Sequence, residues 1–318
     1  MNPWYPLRFQ PLLRRYLWGG RRLQTMLGKK IGDEDCAESW EIVDRGTDQS
    51  VVINGRLTGW TLHQLITQHG PEMLGRHHPQ DRFPLLLKLL DCQQDLSVQV
   101  HPNDQQAAKL APPDLGKTEA WVVLHADPGS RIYAGLKSGV DRTGFEQRIA
   151  DGRITECLHW FQPSVGDCVF IPAGTVHALG AGLVVAEIQQ ASDTTFRLYD
   201  WDRVGPDGQP RPLHVQQALD VIDFDIGPVN PQPAPIPDGP AVQRLVECDK
   251  FVLERRGFDT ARRLGEGDCF HLLAVIGGRF SVADATLNPG DVILLPAAAD
   301  GIRCQPMDRA VVLDIRLP

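Results

Sequence analysis

The sequence lacks the features that mark several specialised classes of protein. None of its apolar runs is long enough to span a bilayer, and its first residues contain no apolar core of a signal peptide. The seven cysteines are odd in number and form no C-x-x-C pair, which indicates reduced, mostly buried thiols rather than a zinc-thiolate site. They lie at positions 36, 92, 157, 168, 248, 269 and 304. From these absences we expect a cytoplasmic protein with no membrane partner.

Basic residues are fewer than acidic ones. The 318 residues include 32 lysines and arginines and 40 aspartates and glutamates, which gives a net charge of −8 at pH 7. A broad nucleic-acid-binding surface requires the opposite sign, so we expect no nucleic-acid partner, and no protein partner is evident. The balance still allows a local basic pocket for a small anion.

One segment is too rich in proline to form a helix or a central strand. It runs from Gly227 to Pro240 and is typical of an extended connector. We therefore predict a domain at residues 1–226, a linker at 227–240 and a smaller domain at 241–318. In the smaller domain, short apolar stretches between turn signals predict the strands of a sandwich or small barrel. These strands are predicted at residues 251–255, 269–276, 279–282, 291–295 and 310–315.

Two stretches of the chain resemble each other. Residues 165–173 and 289–297 both contain Gly-Asp, then an apolar strand, then Pro-Ala, which indicates two related barrels. The residue five positions after the proline is His177 in the first copy and Gly301 in the second. We therefore expect the chemistry in the first copy and no catalytic metal in the second. The alternative, a metal in the second copy, would use Cys269, His271 and Cys304.

Helices are predicted at three places in the larger domain. Residues 61–73 carry apolar side chains on one side behind Thr61, which is a suitable N-cap. Residues 102–104 are typical of the start of a short helix, and residues 141–154 carry an apolar face. We predict that these helices pack around a mainly β core.

The most informative stretch runs from Leu96 to Pro102. Its residues alternate between apolar and polar, which is the period of a half-buried strand. Alternation places Ser97, Gln99 and His101 together on one face. A row of hydroxyl, carboxamide and imidazole groups suits a metal ion, although the same pattern alone is more often a solvated outer face.

Two further residues extend this polar row into a set of metal ligands. Glu119 enters a strand from a Gly-Lys turn, and His177 follows a Pro-Ala-Gly turn. Each alone would be interpreted as a solvated carboxylate or a hydrogen-bonded loop residue. Together with Gln99 and His101 they supply the donor types of a catalytic divalent metal with an open position. We expect a jelly-roll interior to bring these strands together.

Several motifs of the larger domain resemble those of one enzyme family. They are Leu-Ser-Val-Gln-Val-His-Pro-Asn-Asp from Leu96, Gly-Lys-Thr-Glu-Ala-Trp from Gly116, Pro-Ala-Gly-Thr-Val-His-Ala-Leu from Pro172 and Ala-Ser-Asp-Thr-Thr-Phe-Arg-Leu-Tyr-Asp from Ala191. Further similar stretches begin at Tyr16, Glu38 and Pro84. In this order the motifs are similar to those of type I mannose-6-phosphate isomerase in its short bacterial form. The match covers most of residues 10–220.

This resemblance implies a fold, an activity and a cofactor. The fold is mainly β, with two cupin-like jelly-roll barrels of which the first carries a few helices. The activity is the interconversion of mannose 6-phosphate and fructose 6-phosphate through an enediol, so the expected partner is a small phosphorylated sugar. The cofactor is one Zn²⁺ per chain, and its ligands correspond to Gln99, His101, Glu119 and His177.

The resemblance also implies residues that act on the substrate. The catalytic ones correspond to Arg197, Glu187 and Lys117, and the substrate-binding ones to Ser97, Arg203 and Lys88. Isomerisation moves a proton between neighbouring carbons, which requires a base and a positive group for the developing oxyanion. Glu187 is our expected base, and the alternative is that it only forms a salt bridge with Arg197. The alternative for Arg197 is a pairing with that glutamate, Asp200 or Asp202.

Two other functions would use the same residues. A cupin dioxygenase would bind Fe²⁺ through the same histidines and glutamate, but it needs no positive cluster such as Arg197, Lys117 and Arg203. A sugar-phosphate sensor without activity would be expected to lack a metal ligand or Arg197, and this chain lacks neither. Isomerisation or epimerisation of another sugar phosphate is a nearer alternative.

Overall fold

Strands make up most of the regular structure, which confirms the mainly β prediction. The computed structural model of the chain describes residues 4–205, 208–233, 239–283, 285–299 and 301–318. In residues 4–92 the elements are β1 (Phe9–Gln10), β2 (Leu12–Arg14), α1 (Arg22–Thr25), β3 (Glu38–Ile42), β4 (Asp44–Arg45), β5 (Asp48–Gln49), β6 (Val51–Val52), α2 (Leu62–Leu74) and β7 (Leu85–Cys92).

Helix α2 forms where the sequence predicts it. The Thr61 side chain accepts a hydrogen bond from the backbone N–H of Gln64, and the Gln64 side chain accepts one from the Thr61 backbone. This capping box satisfies N–H groups that the first helical turn leaves without partners. The helix has a kink at His69, two residues before Pro71, because proline supplies no backbone N–H and crowds the preceding turn.

Residues 93–233 contribute antiparallel strands that pair in the orders β11-β10-β13-β8-β15 and β12-β9-β14. The elements are β8 (Val98–Val100), α3 (Asp104–Ala107), β9 (Glu119–Ala126), β10 (Ile132–Leu136), α4 (Arg142–Ala150), β11 (Leu158–Phe161), β12 (Cys168–Ile171), β13 (His177–Leu179), β14 (Leu183–Gln190), β15 (Phe196–Tyr199) and α5 (Val215–Val221). The predicted helices α3 and α4 begin after the side-chain caps Asn103 and Asp141. Helix α4 ends four residues before the predicted Ile154.

The alternation predicted for residues 96–102 is confirmed in β8. Val98 and Val100 are fully buried in an apolar cluster that also contains Phe196 and Leu198 of β15. The side chain of Gln99, which lies between the two valines, therefore points to the opposite face, because successive residues of a strand alternate. That face carries the polar row of the predicted metal site.

Residues 239–318 form strands that pair in the orders β16-β17-β24-β19-β22 and β18-β23-β20-β21. The strands are β16 (Ala241–Glu247), β17 (Val252–Phe258), β18 (Arg262–Leu264), β19 (His271–Gly277), β20 (Phe280–Val282), β21 (Ala285–Leu287), β22 (Val292–Leu295), β23 (Ile302–Pro306) and β24 (Ala310–Arg316). The five predicted strands correspond to β17, β19, β20, β22 and β24. The sequence did not predict four strands. Three of them, β16, β18 and β21, are edge strands, where charged residues that obscure the alternation are tolerated. The fourth, β23, is an inner strand in which Ile302 and Cys304 alternate with Arg303 and Gln305.

The chain divides into two compact units whose bounds differ from the predicted domains. One unit contains Met1–Arg14, Arg21–Leu89 and Ala234–Pro318, and the other contains Arg15–Gly20 and Leu90–Pro233. The first segment joins the C-terminal strands because Leu7 and Leu294 exchange two backbone hydrogen bonds of 2.8 and 2.9 Å. The arrangement of the strands as two jelly-roll barrels stays a prediction.

The predicted linker is only partly described. Its residues 234–238 lie outside the described residues. Before them, Gln232 exchanges backbone hydrogen bonds of 2.8 and 3.1 Å with Cys168, and Val229 donates to the Ala134 carbonyl at 3.0 Å. The described first half therefore pairs with strands of its own unit, and its role as a connector stays a prediction.

The cysteines agree with the sequence analysis. All seven lie within the described residues and are thiols, of which six are buried and Cys248 is half-buried. In the part of the chain that the structure describes, no helix has the length and apolar character needed to cross a bilayer.

Candidate metal centre and active site

Three predicted site residues form one row across neighbouring strands. Gln99 of β8 pairs with His177 of β13 on one side and with Arg197 of β15 on the other. Residues directly opposite each other in antiparallel strands point to the same face. The strand register therefore brings a carboxamide, an imidazole and a guanidinium to the same surface.

A carboxylate reaches this row from the opposing strands. Glu119 begins β9 and is fully buried. Its Oε1 lies 3.3 Å from His177 Nε2, and its Oε2 lies 3.6 Å from His101 Nε2. The three side chains each offer a ligand atom within 4.8 Å of the others. The structure thus brings the two predicted imidazole ligands and the predicted carboxylate ligand together.

Both histidines are held in the tautomer that a metal requires. The Nδ1 atoms of His101 and His177 each lie 2.9 Å from a backbone carbonyl oxygen, of Thr194 and Thr175 respectively. A carbonyl only accepts hydrogen bonds, so Nδ1 carries the proton and the lone pair of Nε2 faces Glu119. Burial lowers the pKa of His177 to about 4, which keeps this ring neutral at pH 7. The donor set therefore fits a divalent ion such as Zn²⁺.

Gln99 completes the predicted ligand set. Its carboxamide nitrogen lies 3.3 Å from His177 Nε2. Rotating the amide by half a turn would direct its oxygen to the same place, and oxygen is the atom that binds a metal. As a neutral amide, Gln99 is the weakest donor of the four.

Lys117 lies in the same buried cluster. Its Nζ is 2.9 Å from Glu119 Oε2 and 3.1 Å from His101 Nε2. The side chain is almost completely buried. Lys117 therefore lies beside the predicted ligand Glu119, and its catalytic role stays a prediction.

Arg197 extends from the row toward the surface. Its Nη1 donates to the Pro212 carbonyl at 2.9 Å, and its Nε is buried without a hydrogen-bond partner among the described residues. Burial is the main cause that lowers the pKa of Arg197, and the charge of Arg211 acts in the same direction. The guanidinium therefore keeps donor capacity for another group.

The carboxylates proposed as alternative partners of Arg197 are engaged by other residues. Asp200 accepts hydrogen bonds from Arg203 at 2.6 Å and from Arg211 at 2.7 Å. Asp202 accepts a hydrogen bond of 2.9 Å from the Tyr199 hydroxyl. Arg203, predicted to bind substrate, is thus anchored by a carboxylate.

Glu187 is buried on the strand that pairs with β9. It lies opposite Trp121, whose indole N–H donates to its Oε2 at 3.0 Å. The Trp121 ring also contacts the His177 ring edge-on, with centroids 5.4 Å apart. Trp121 therefore contacts both the predicted base and the predicted metal ligand His177. Sequence analysis did not assign it a role, although its position two residues after Glu119 places it on the same strand face.

The remaining predicted residues lie in different surroundings. Ser97 is buried, and its hydroxyl is 3.4 Å from Gln99 Oε1. Lys88 belongs to the other compact unit, where its Nζ lies 3.5 Å from Glu38 Oε2 and 4.9 Å from the centre of the Trp40 ring. The structure thus brings Ser97 to the ligand row and shows Lys88 in contact with β3.

One carboxylate that the sequence analysis missed supports His101 indirectly. Asp114 Oδ2 accepts hydrogen bonds from the hydroxyls of Thr194 at 2.8 Å and Ser192 at 3.3 Å. These contacts fix the loop whose Thr194 carbonyl holds His101 Nδ1. No sequence pattern predicts this role, because the group that contacts the histidine is a backbone carbonyl.

Comparison with known proteins decides the family of the chain. A family model for the catalytic domain of type I phosphomannose isomerase matches residues 7–127. Mannose-6-phosphate isomerase ManA of Bacillus subtilis (strain 168) is 34% identical over 305 residues, which cover 92% of this chain and 93% of that protein. The chain belongs to the type I phosphomannose isomerase family. The family match includes Gln99, His101, Lys117 and Glu119, whereas His177, Glu187 and Arg197 lie beyond residue 127.

Other relatives agree with this membership. The mannose-6-phosphate isomerase of Streptococcus mutans serotype c is 35% identical over 296 residues, which cover 92% of each protein. The crystal structure of a mannose 6-phosphate isomerase from Bacillus subtilis superposes with a TM-score of 0.86 at 29% identity, covering 97% of this chain and 99% of that chain. The phosphomannose isomerase fold therefore extends over nearly the whole chain.

Proposed function

We propose that this chain interconverts mannose 6-phosphate and fructose 6-phosphate. The observation that carries the proposal is the buried cluster of His101, Glu119 and His177, with Arg197 in the same strand row through Gln99. Its relatives at 34% and 35% identity are named as mannose-6-phosphate isomerases. The site supplies a metal, a base and positive charge together, which an aldose–ketose isomerisation requires.

One Zn²⁺ per chain would be held by Gln99, His101, Glu119 and His177. When bound, it supplies a Lewis acid that polarises the oxygens on the two reacting carbons. The two histidines are prepared for this role because backbone carbonyls hold the proton on Nδ1. Lys117 balances the charge of Glu119 at 2.9 Å.

Glu187 is proposed to move the proton between the two reacting carbons through an enediol. Its Oε2 accepts a hydrogen bond of 3.0 Å from the Trp121 indole, which fixes the carboxylate. Arg197 would stabilise the developing oxyanion through the donors that Pro212 does not engage. Because both residues lie on strands, their positions are set by the sheet register rather than by loops.

Positive charge near Arg197 suits the phosphate group. Asp200 is shared by Arg203 and Arg211, so this group carries one net positive charge. Arg211 and Arg203 lie close enough to Arg197 to influence its pKa. Arg203 and the Ser97 hydroxyl would contact the phosphate, and the assignment of Lys88 as substrate-binding stays a prediction from the sequence.

The reaction is tested by incubating the chain with mannose 6-phosphate in D₂O and following the products by NMR. We expect fructose 6-phosphate with deuterium at the carbon that exchanges its proton, and no product after chelation. A Clark electrode in parallel measures oxygen. Oxygen consumption would favour the dioxygenase, and tight binding without any product would favour the sensor; either result would contradict the proposal.

A further inference from the structure

Outside the metal centre, the C-terminal strands contain a cysteine, a histidine and an aspartate in hydrogen-bonded series. Cys269 Sγ lies 3.5 Å from His271 Nε2, and His271 Nδ1 lies 2.6 Å from Asp314 Oδ1. His271 begins β19, and Cys269 lies two residues before it in the bend that leads into the strand. Asp314 comes from the neighbouring strand β24.

Cationic side chains surround the aspartate end of this series. Arg256 Nε lies 2.9 Å from Asp314 Oδ2. The neighbouring Glu254 is bound by the guanidinium groups of Arg244, Arg256 and Arg316 at 2.7 to 3.2 Å. Three guanidinium groups therefore surround the carboxylates of Glu254 and Asp314, and Asp314 is the carboxylate that faces the imidazole.

The cysteine end of the series approaches the surface. Glu266, Gly267 and Asp268 are exposed, and Cys269 directly follows them with an exposed fraction of 4%. Asp268 accepts a backbone hydrogen bond of 3.1 Å from Arg76, and its charge also acts on His77. A molecule as small as hydrogen peroxide needs only a local opening of this exposed turn to reach the sulfur.

His271 is a cation at neutral pH. Burial alone would lower its pKa, but hydrogen bonds with Asp314 and Cys269 outweigh burial and raise the pKa to about 9. A protonated imidazole donates from both nitrogens, so one N–H points to Asp314 and the other to the sulfur. A charged donor beside sulfur favours the thiolate, which is the reactive form of cysteine.

We propose that Cys269 is an activated thiolate and a site of reversible oxidation by hydroperoxides. The sulfur attacks one oxygen of hydrogen peroxide, an S–O bond forms and the O–O bond breaks. Sulfur is oxidised by two electrons to the sulfenic acid, and the leaving hydroxide takes the proton of His271 to become water. Two molecules of a low-molecular-weight thiol would reverse the reaction: the first forms a mixed disulfide with Cys269 and releases water, and the second releases the Cys269 thiol as the two reductant sulfurs leave as their own disulfide.

Two other cysteines of the chain provide internal comparisons. Cys304 lies in an apolar cluster, and burial raises its pKa to about 12. Cys248 is the most accessible of the seven, and its Sγ lies 3.4 Å from the Phe251 carbonyl oxygen. If accessibility controlled the rate of oxidation, Cys248 would react first. If the hydrogen bond with His271 controls it, Cys269 reacts first.

The test is the rate of sulfenic acid formation at each cysteine of the intact protein. The native chain is treated with hydrogen peroxide at pH 5.5 to 8 in the presence of dimedone, and labelling is measured by mass spectrometry of peptides. Because an ordinary thiol is only about 1% ionised at pH 6.5, we expect Cys269 to react at least about tenfold faster than Cys248 there. The same ratio measured in urea should be close to one.

The pH dependence gives a second criterion. The labelling rate of Cys269 relative to that of Cys248 should be largest at the acidic end of the range, because the hydrogen bond from His271 favours the reactive form of the sulfur. A slower reaction at Cys269 than at Cys248, or parallel pH profiles for both, would overturn the proposal.

Variants then test the relay. His271→Asn and Asp314→Asn should each reduce the rate at Cys269 at least about tenfold at pH 6.5, because the charged donor is removed or reoriented. His63→Asn is the matched control, since the exposed His63 lies 3.3 Å from the buried carboxylate of Asp44 in a pair without a cysteine. Unchanged labelling of Cys269 in a folded His271→Asn variant would contradict the role of the imidazole. If neither His271→Asn nor Asp314→Asn folds, the proposal is decided by the Cys269-to-Cys248 rate ratio of the unmodified chain, measured in the native state and in urea.

Discussion

His177 and His271 are both buried, and their ionisation differs because of the groups that their Nδ1 atoms contact. His177 donates to the neutral Thr175 carbonyl, and burial lowers its pKa to about 4. Burial acts on His271 in the same direction, but Asp314 and Cys269 raise its pKa to about 9. The neutral form is favoured for His177, whose Nε2 faces the predicted metal site, whereas the charged form is favoured for His271, whose two nitrogens are both engaged. The charge of the accepting group therefore decides whether a buried histidine can act as a ligand.

The strands around these two sites pair in the same way. Ile171 ends β12 before Pro-Ala and pairs with Glu119, and Leu295 ends β22 before Pro-Ala and pairs with His271. The two copies of the Gly-Asp, strand, Pro-Ala pattern therefore also share a pairing: in each copy the last strand residue before Pro-Ala lies opposite the first residue of the neighbouring strand. An imidazole takes the position that the metal-binding carboxylate has in the other copy.

The correspondence continues one strand further. Glu187 lies opposite Trp121, two positions after the metal-binding glutamate, and Asp314 lies opposite Leu273, two positions after His271. The carboxylate that we propose as the base thus corresponds to the carboxylate that charges His271. This comparison supports the expectation that the C-terminal strands bind no catalytic metal, which stays a prediction.

The largest expected effect comes from removing both histidines of the predicted metal site. We expect His101→Ala/His177→Ala to retain less than about a tenth of an equivalent of metal and to lose measurable isomerase activity, because two of the strongest donors are lost. His271→Asn should keep its metal. Plasma mass spectrometry measures the metal content of the double variant and of His271→Asn, and His125→Ala is the control. Stoichiometric metal in the double variant would show that the ligand set is wrong.

The second largest effect concerns the stability contributed by charged His271. Its folded pKa of about 9 lies above the ordinary value of 6.5, so the contribution is complete below about pH 6.5 and is lost as the pH rises to about 9. The shift corresponds to roughly 3 kcal/mol, as an order of magnitude. Urea unfolding at pH 6, 7.5 and 9 should show this loss in the unmodified chain and a much smaller one in His271→Asn. Parallel profiles for the two proteins would mean that His271 is not charged in the folded state.

Variants of Arg197 test whether this residue, in the same strand row as the predicted metal site, acts on the substrate. Arg197→Ala should reduce kcat by about a hundredfold, the usual effect of removing one preorganised oxyanion donor, with metal content unchanged. Arg197→Lys should recover only part of the activity, because an ammonium cannot replace the planar guanidinium. Steady-state kinetics with Arg148→Ala as a surface control measures the effect. Near-normal turnover with a lowered melting temperature would assign Arg197 a structural role instead.

The smallest expected effect is that of the indole hydrogen bond to Glu187. Trp121→Phe keeps an aromatic ring beside His177 but removes the donor, so we expect roughly a tenfold lower kcat. KM should change little, and the acidic limb of the pH–rate profile should move. Trp160→Phe, at an exposed position of the same unit, is the matched control. If both variants behave alike, the indole does not position the base.

Much of the ligand set could be predicted because it follows strand alternation. The period of residues 96–102 places Gln99 and His101 on one face, and the repeated turn before His177 marks a second strand end. Helix starts were also predictable, since Thr61 and Asp141 are side-chain caps that act within one turn.

The rest depends on contacts that a local pattern does not contain. The carbonyls of Thr175 and Thr194 set the histidine tautomers, but every residue has a carbonyl and no residue type signals this role. The backbone pairing of Leu7 with Leu294 joins distant parts of the sequence, so the compact units could not be predicted from the proline-rich segment alone.

The central claim is that one metal ion per chain, bound at His101, Glu119 and His177, is required for isomerisation of mannose 6-phosphate. The most direct measurement is a titration of metal-free protein with Zn²⁺, in which bound zinc and turnover are determined in the same samples. We predict that turnover rises in proportion to bound zinc and stops rising at one equivalent per chain. Turnover in the metal-free protein, or a rise that continues to two equivalents, would contradict the account.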